Sequence, residues 1–389
     1  MVEDILNDLK SKDIKAKLEK INKTLKEFES DIDVVIIPSS GSYRSKENTF
    51  KYSGWDYTRR VLKNYLIYSA DFLNCLSNRT CSSLRVYLDI SVGLNSLVAE
   101  TLEAYYNAIV LWNFYFLGEE NNPGKFYILS SEPVLGSIYE EKNFQKVELN
   151  KKAFFEKPLT WKGFQNTKPD LERIIPRDLT PLVKKAIFAF NATKLNIPLT
   201  FSLYLEAVSN FLSSLREVIE KLLHQMELRI SRTPEKVFNI YLDNKEFFNL
   251  ANIRNLTYLL MLGANLDKNA KKYLGELYTE KNEYMELTDE NLQAFQNLYS
   301  HYNLETNKSF LERDWKDLKS RPTGRWQKLC EIKGNCEPRP LNKYLETEKF
   351  RRNFLAHSGF EDNITEIYGN KVRYIEPLRE KIKEFILNL

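Results

Sequence analysis

This 389-residue sequence contains few cysteines, few long apolar runs and no strong excess of one charge. Four cysteines are too few for a disulfide scaffold in a chain of this length. The most apolar stretch, residues 94–117, carries Glu100 and Glu103, which are too costly for a helix that faces lipid. The acidic, amphipathic start lacks the basic and apolar regions of a secretory signal. We therefore expect a soluble, cytoplasmic protein without a membrane partner.

Net charge and glycine content exclude further classes of protein. The 57 basic and 53 acidic residues leave a net charge of +4, too small to indicate nucleic-acid binding through bulk charge. With 43% hydrophobic residues and only 13 glycines and 13 prolines, the chain is neither disordered nor collagen-like. Neither a Gly-x-Gly-x-x-Gly motif nor a Walker loop is present, so nicotinamide dinucleotide and nucleoside triphosphate chemistry lack support.

The cysteines form two equally spaced pairs, Cys75 with Cys81 and Cys330 with Cys336. Structural zinc sites use shorter gaps between cysteines and usually a nearby histidine, so the sequence does not favour a metal site. We expect reduced thiols, and a disulfide between Cys330 and Cys336 is the alternative.

The first half of the chain alternates strand and helix patterns, which favours an open α/β sheet with parallel strands. In such sheets ligands bind beyond the carboxyl ends of the strands, where helices begin. Here the segments at residues 38–43 and 91–95 occupy that position. The predicted elements are strands at 33–37, 84–91, 112–116 and 125–129, and helices at 57–76 and 91–110.

Prolines between residues 150 and 181 indicate a domain boundary, beyond which strand patterns disappear and glycine is scarce. We place the boundary between residues 165 and 166 and expect an all-α second half. Its helices are predicted at 182–190, 199–229, 234–242, 247–262, 268–278, 289–302 and 308–319.

Of the three histidines, only His357 lies in a pattern that indicates chemistry. His224 and His301 lie in helical segments without acidic or cysteine neighbours at metal-ligand spacing, so we expect structural roles. His357 follows Arg352 and Asn353 on a helix that we expect to end with Gly359 as its C′ residue.

Arg352 and His357 lie about 140° apart around this helix, so one helix cannot place them side by side. Two such helices around a dimer axis can gather two copies of each group. Arginine supplies a fork for phosphate, asparagine a neutral donor and histidine a group that titrates near neutrality. The set suits attack of an RNA 2′-hydroxyl on its phosphodiester. The spacing alone supports a structural role equally well, because a cation near a helix C-terminus also interacts favourably with the dipole.

Two short motifs give this chain a family resemblance. Arg352-Asn-Phe-Leu-Ala-His357 resembles the Arg-Asn-x-x-x-His signature of HEPN ribonucleases. Asp89-Ile-Ser-Val-Gly-Leu-Asn95, between a predicted strand and a helix, resembles the Asp-x-(Ser/Thr)-x-Gly-x-Asn motif of CARF domains. Together they resemble the CARF–HEPN ribonucleases that accompany type III CRISPR systems.

The resemblance implies a Rossmann-like CARF domain over residues 1–165 and an α-helical HEPN domain over 166–389. It implies a homodimer or higher oligomer that binds cyclic oligoadenylate, with cyclic tetra-adenylate as the expected ring, and then cuts single-stranded RNA without a metal or other cofactor. The family begins with a strand whereas this chain begins with a helical pattern, so we expect the first strand to be missing or changed beyond recognition. The implied catalytic residues are Arg352, Asn353 and His357, and the implied ligand-contacting residues are Ser91, Gly93, Leu94 and Asn95.

Two other functions remain open at this point. A ligand-regulated transcription factor would use a basic helical face to bind DNA. A ring nuclease would degrade the cyclic nucleotide itself and leave the helical half purely structural. The basic cluster that could touch a nucleic-acid backbone consists of Lys316, Lys319, Arg321, Arg325, Lys328 and Lys333, and we expect it to be a solvated surface.

Overall fold

The computed structural model describes residues 41–45, 48–53, 55–78, 84–90, 95–131, 144–174, 179–204, 211–226, 228–233, 237–242, 249–279 and 282–389. The chain divides into two compact units, one of residues 1–55 and 230–241 and the other of residues 56–229 and 242–389. The strand predicted at 33–37 and the missing first strand lie outside the described residues and stay predictions.

The first half contains five strands and three helices among its described residues. They are β1 (Gly41–Ser45), β2 (Asn48–Ser53), α1 (Tyr57–Asn78), β3 (Leu84–Asp89), α2 (Asn95–Tyr115), β4 (Gly124–Ser131), β5 (Phe144–Leu149) and α3 (Trp161–Ile174). The predicted domain boundary at residues 165 and 166 lies within α3 and stays a prediction.

The second half is mostly helical and carries short strands. Its elements, in chain order, are α4 (Thr180–Lys194), α5 (Leu199–Tyr204), α6 (Phe211–Gln225), β6 (Leu228–Arg232), β7 (Val237–Leu242), α7 (Leu250–Leu274), α8 (Glu276–Thr279), β8 (Met285–Glu286), α9 (Asp289–His301), α10 (Glu305–Lys319), β9 (Gln327–Lys328), α11 (Leu329–Lys333), α12 (Leu341–Tyr344), α13 (Glu348–Ala356), β10 (Thr365–Tyr368), β11 (Lys371–Tyr374) and α14 (Arg379–Asn388).

The smaller unit is built on a four-stranded sheet in the order β1-β2-β7-β6. Strands β1 and β2 form an antiparallel pair in which Gly41 lies opposite Tyr52. Strand β7 joins β2 in parallel, with Thr49 opposite Val237. The sheet therefore combines two segments that are far apart in the sequence.

The larger unit contains the parallel β3–α2–β4 crossover that the first half of the sequence predicts. Leu84 lies opposite Gly124 in the parallel β3–β4 pair, and β5 then adds to β4 in the antiparallel sense. A parallel pair needs such a crossover, so the order of elements confirms the α/β prediction. On the helical side, the Arg60 guanidinium of α1 binds the Glu100 carboxylate of α2 at 2.7 and 2.6 Å, and both side chains are buried.

The strand predicted at residues 112–116 is wrong, because α2 continues to Tyr115. Ala104, Ala108, Leu111 and Trp112 are all fully buried, and their spacing is that of one helix face. A short apolar run cannot by itself distinguish a buried strand from a buried helix segment.

Helix α7 is the longest of the described helices and packs against both the α/β part and the helical part of the larger unit. Its Tyr258 hydroxyl donates to the Asn107 carbonyl of α2 at 2.9 Å. The Asn265 amide donates to the carbonyls of Tyr115 and Leu117 at 2.7 and 3.1 Å. On other sides α7 packs against α4, α6 and α9. The helix is therefore shared between the α/β part and the helical part of this unit.

The second half does contain strands, which corrects the prediction that it has none. Residues 234–242, predicted as helix, contain β7, where valine, isoleucine and aromatic residues favour extended backbone. The helix predicted at 268–278 is partly a continuation of α7. Strands β8 to β11 form a second sheet in the order β8-β11-β10-β9. The second half is thus mainly α with small sheets.

Cys330 and Cys336 form a disulfide with their Cα atoms 4.6 Å apart, and Cys75 is also disulfide-bonded. The expectation of reduced thiols is wrong, and the alternative for Cys330 and Cys336 is confirmed. Helix α11 ends at Gly334 in the left-handed conformation (φ 68°), which turns the chain back towards Cys330. Within the described ranges, no helix has both the length and the apolar character needed to cross a bilayer.

Candidate functional site

Helix α13 contains Arg352 and Asn353, and His357 directly follows its last residue. It begins at Thr347, whose hydroxyl oxygen accepts the Phe350 N–H at 3.1 Å as an N-cap. Phe350 and Phe354 are fully buried, with ring centroids 5.5 Å apart, and both contact Phe385 of α14. These contacts anchor α13 to the core and turn the opposite face of the helix, with Arg352, towards solvent.

The helix ends in a Schellman turn that presents His357. His357 is the C-cap residue, and the Gly359 N–H donates to the Phe354 carbonyl at 2.8 Å. Ser358 then occupies the C′ position with a positive φ of 52°, so the prediction of Gly359 at C′ is wrong by one residue. Gly359 is still required, because its φ is 78° and a Cβ atom there would lie 2.6 Å from Cγ2 of Ile197.

The imidazole of His357 lies beside the carboxylate of Asp314 on α10. Nδ1 of His357 is 3.8 Å from Oδ1 of Asp314, and the imidazole side chain is half exposed. Contact with Asp314 raises the pKa of His357 above its usual value, and the charge of Asp362 adds to this rise. Partial burial and the nearby Lys333 ammonium oppose it. His357 therefore keeps its proton to a higher pH than a free histidine.

Within one protomer, no hydrogen bond among the described residues links the side chain of Arg352 or Asn353 to the imidazole of His357. Arg352 is exposed, and within the described part of the chain its side chain makes no hydrogen bond or ion pair. The Asn353 amide instead donates to the Tyr344 hydroxyl at 3.4 Å, and that hydroxyl donates to the buried Glu361 carboxylate at 2.9 Å. The angular separation of Arg352 and His357 stays a prediction, and Asn353 connects α13 to α12.

Asp314, Arg313 and Ser358 were not singled out by the sequence reasoning. Asp314 occupies the buried face of α10 together with Leu311, Trp315 and Leu318. A carboxylate at an apolar position of an amphipathic helix was the available signal, because such a group needs a partner inside the fold. Its partner could not be identified, since Ser358 lies 44 residues further along the chain.

The predicted ligand-contacting turn is only partly covered by the structure. Ser91, Gly93 and Leu94 lie outside the described residues. Asn95 is the first residue of α2, which follows β3 in the order that the sequence predicts. The four ligand contacts therefore stay predictions.

The basic cluster singled out for a DNA-binding alternative is largely paired with carboxylates. Its ammonium and guanidinium groups lie within ion-pair distance of acidic side chains on the same surface, which agrees with a solvated face. The pairs are Lys316 with Glu312, Lys319 with Asp289, Arg321 with Asp317, and Lys333 with Asp317 and Asp362.

Comparison with known families matches both ends of the chain. Residues 2–133 match the family model described as the CARF domain of the CRISPR system endoribonuclease Csx1. Residues 304–376 match the model of the HEPN domain of the same endoribonuclease, and this range contains α10 and α13. The chain belongs to the CARF–HEPN ribonucleases of CRISPR systems.

A curated relative agrees with the family assignment. The chain is similar to the CRISPR system endoribonuclease Csx1 of Methanocaldococcus jannaschii, with 24% identity over 403 residues that cover 95% of this chain and 77% of the relative. As a CARF–HEPN ribonuclease, the protein is an endoribonuclease with an N-terminal CARF domain and a mainly helical HEPN domain. The motif containing Arg352, Asn353 and His357 lies inside the HEPN match, and residues 91–95 lie inside the CARF match.

Proposed function

We propose that this CRISPR-associated ribonuclease is specific for single-stranded RNA and is activated by a cyclic oligoadenylate of type III systems. The position of His357 carries the proposal. Its half-exposed imidazole, at the end of α13, lies 3.8 Å from the Asp314 carboxylate, while Arg352 projects from the outer face of the same helix. One group can transfer protons near neutrality and the other can bind a phosphate.

The reaction that fits these groups is transesterification within the RNA. The 2′-hydroxyl oxygen attacks the adjacent phosphorus, the bond from phosphorus to the 5′ oxygen breaks, and a 2′,3′-cyclic phosphate and a 5′-hydroxyl remain. One His357 removes the proton of the 2′-hydroxyl, and a second His357 donates a proton to the leaving 5′ oxygen. Arg352 stabilises the charge that develops on the phosphate. The scheme uses no metal ion.

A homodimer supplies the two histidines that this scheme needs. Arg352 and His357 lie about 140° apart around α13, so a single helix cannot direct both at one phosphate. Two copies of α13 around a twofold axis would gather two arginines and two histidines in one groove. We therefore propose a composite site between two HEPN domains, in a homodimer or a higher oligomer.

The activator is proposed to bind at the turn that joins β3 to α2, with contacts from Ser91, Gly93, Leu94 and Asn95. Two observations support this location. Residues 91–95 follow a strand of the parallel β3–β4 pair, and α2 begins at Asn95; the N-terminus of a helix presents backbone N–H groups that favour phosphates. A cyclic ligand on the axis of a dimer would meet two such turns.

The proposal is tested by incubating the purified full chain with labelled single-stranded RNA, with and without cyclic tetra-adenylate. We expect cleavage that depends on the ligand and that persists in excess chelator. Strict dependence on magnesium would contradict the metal-free scheme. Retention of DNA without cleavage would support the transcription-factor alternative. Destruction of the ligand without RNA cleavage would support the ring nuclease.

Asn95→Ala tests the ligand site separately from the catalytic site. Because we assign Asn95 to the activator, the variant should need at least about tenfold more cyclic tetra-adenylate for half-maximal cleavage, a loss typical of one polar contact. Cleavage at saturating ligand should stay close to that of the unmodified protein. Thr101→Ala, on the same helix, is the control and should leave the activation curve in place. Equal loss of activation and maximal cleavage would contradict the assignment.

A further inference from the structure

Asp314 is a buried charged group beside His357. It is 7% exposed and lies on α10, where its neighbours on the buried face are apolar. Its Oδ2 atom accepts the Ser358 hydroxyl at 2.7 Å, and its Oδ1 atom lies 3.8 Å from His357 Nδ1. The carboxylate therefore contacts the histidine and the residue that follows it in the turn.

Arg313 also holds this carboxylate in place. The Arg313 guanidinium donates to Oδ1 of Asp314 at 3.1 and 2.9 Å, and it also donates to the Ala356 carbonyl at the end of α13 at 3.0 Å. Arg313 therefore connects the end of α13 to the same carboxylate oxygen that faces His357.

The Ser358 hydroxyl is itself fixed by the end of another helix. The buried Asn196 amide donates to Ser358 Oγ at 2.8 Å, and Asn196 follows α4 in a left-handed conformation with a φ of 58°. Ser358 has the same backbone conformation, with a φ of 52°. The side chains of Asn196 and Ser358 thus connect the ends of α4 and α13. The Ser358 hydroxyl in turn donates to the Asp314 carboxylate.

We propose that Asp314 is a positioning residue for RNA cleavage, which turns Nδ1 of His357 towards its own carboxylate and leaves Nε2 to face the scissile phosphate. This inference rests on the catalytic role proposed for His357. The geometry supports it, because Asp314 is held by Ser358 and Arg313 whether or not the imidazole is protonated. A carboxylate in this position orients an imidazole and stabilises its protonated form.

Among the described residues, two other charged groups act on the imidazole of His357. Asp362 and Lys333 act on the imidazole with opposite signs, and Lys333 is itself paired with Asp362 at 2.7 Å. Arg313 is the remaining cation that contacts Asp314. Asp314 is thus the largest influence that keeps the pKa of His357 raised. Its neutral replacement should lower the pH at which the ring loses its proton.

Asp314→Asn in the full chain is the test, with Glu312→Gln as the matched control on the exposed side of the same helix, where Glu312 pairs with Lys316. The imidazole signals are followed by NMR between pH 5 and 9, and His357→Ala identifies the His357 signal among three histidines. We expect Asp314→Asn to lower the His357 midpoint by about one pH unit. Glu312→Gln should leave it unchanged.

Cleavage of RNA is then measured over the same pH range. At neutral pH, Asp314→Asn should lower kcat at least about tenfold with little change in KM, and the alkaline loss of activity should move to lower pH with the NMR midpoint. A uniform loss at every pH, or an NMR shift without a shift of the cleavage profile, would contradict the positioning role. Cleavage that survives His357→Ala would instead contradict the proposed function.

Ser358→Gly is the second variant, in case Asp314→Asn does not fold. Glycine adopts the positive φ without strain, so the change removes the hydroxyl and leaves the turn intact. Because Asp314 then loses one of its fixed donors, we expect a loss of cleavage of several-fold, larger than that of Glu312→Gln. Unchanged cleavage in a folded Ser358→Gly protein would overturn the inference.

Discussion

His357 and Arg352 lie five residues apart near one helix, yet the protein holds them in different ways. The turn that carries His357 is connected to α10 through Asp314 and to α4 through Asn196. Arg352 projects from an exposed helix face and, among the described residues, binds no side chain or carbonyl. One protomer thus positions its proton-transfer group in advance, whereas the phosphate-binding group is left available for RNA and for a second copy of the chain.

The largest expected loss of cleavage comes from removing the His357 imidazole or the Arg352 guanidinium. His357→Ala and Arg352→Ala should each lower the cleavage rate by about a thousandfold, because each removes a group that acts in the transition state. Both side chains are exposed, so the free energy of unfolding and the affinity for cyclic tetra-adenylate should change little. Rates with labelled RNA at saturating activator measure the effect.

Mixing His357→Ala with the unmodified protein sharpens the comparison. A dimer of one unmodified chain and one His357→Ala chain keeps only one of the two histidines that the scheme needs, so it should be as inactive as the variant. After subunit exchange, the cleavage rate should therefore fall with the square of the unmodified fraction. A fall in simple proportion to that fraction, with subunit exchange demonstrated, would contradict a site shared in this way.

At the turn that presents His357, we expect an effect on the stability of the fold. Gly359→Ala should lower the free energy of unfolding by about 2–4 kcal/mol, because the positive φ is strained for alanine and the Cβ would press on Ile197. Chemical denaturation measures this loss. Gly369→Ala is the control, since Gly369 also has a positive φ but open space around it, and it should cost about 1 kcal/mol. Equal losses would mean that the contact with Ile197 contributes nothing.

The smallest effect on cleavage is expected from removing the disulfide between Cys330 and Cys336. Cys336→Ser opens a short loop, so the free energy of unfolding should fall by about 2 kcal/mol. Cleavage under native conditions should stay within about twofold, since the contacts of His357 with Asp314 do not involve this loop. Denaturation with and without a reducing agent measures the loss. An unchanged stability would show that the thiols are reduced in solution.

The local features of the site were predictable from the sequence, and the long-range ones were not. The helix, the buried Phe350 and Phe354 and the separation of Arg352 from His357 follow from spacing along one element. The contact between Asp314 and Ser358 joins residues that only the tertiary fold brings together. Ser358 at C′ was missed because serine rarely adopts a positive φ, and here buried hydrogen bonds to Asn196 and Asp314 compensate for its strain.

The same limit explains the larger errors in the fold prediction. Residues 112–116 and 237–242 are both short apolar stretches, and one is helix while the other is strand. Their neighbours in space decide between the two conformations, and the sequence pattern alone contains no information about those neighbours. The crossover from β3 to β4 was predictable because its alternation of strand, helix and strand extends over a longer stretch.

Helix α7 has a consequence for the way this protein can be divided. Its side chains donate hydrogen bonds to α2, and other faces of it pack against α4, α6 and α9. A chain cut at the predicted boundary between residues 165 and 166 would deprive α2 of this neighbour and expose apolar surface on α7. Exchange of either domain between related enzymes therefore requires that α2 and α7 be transplanted together.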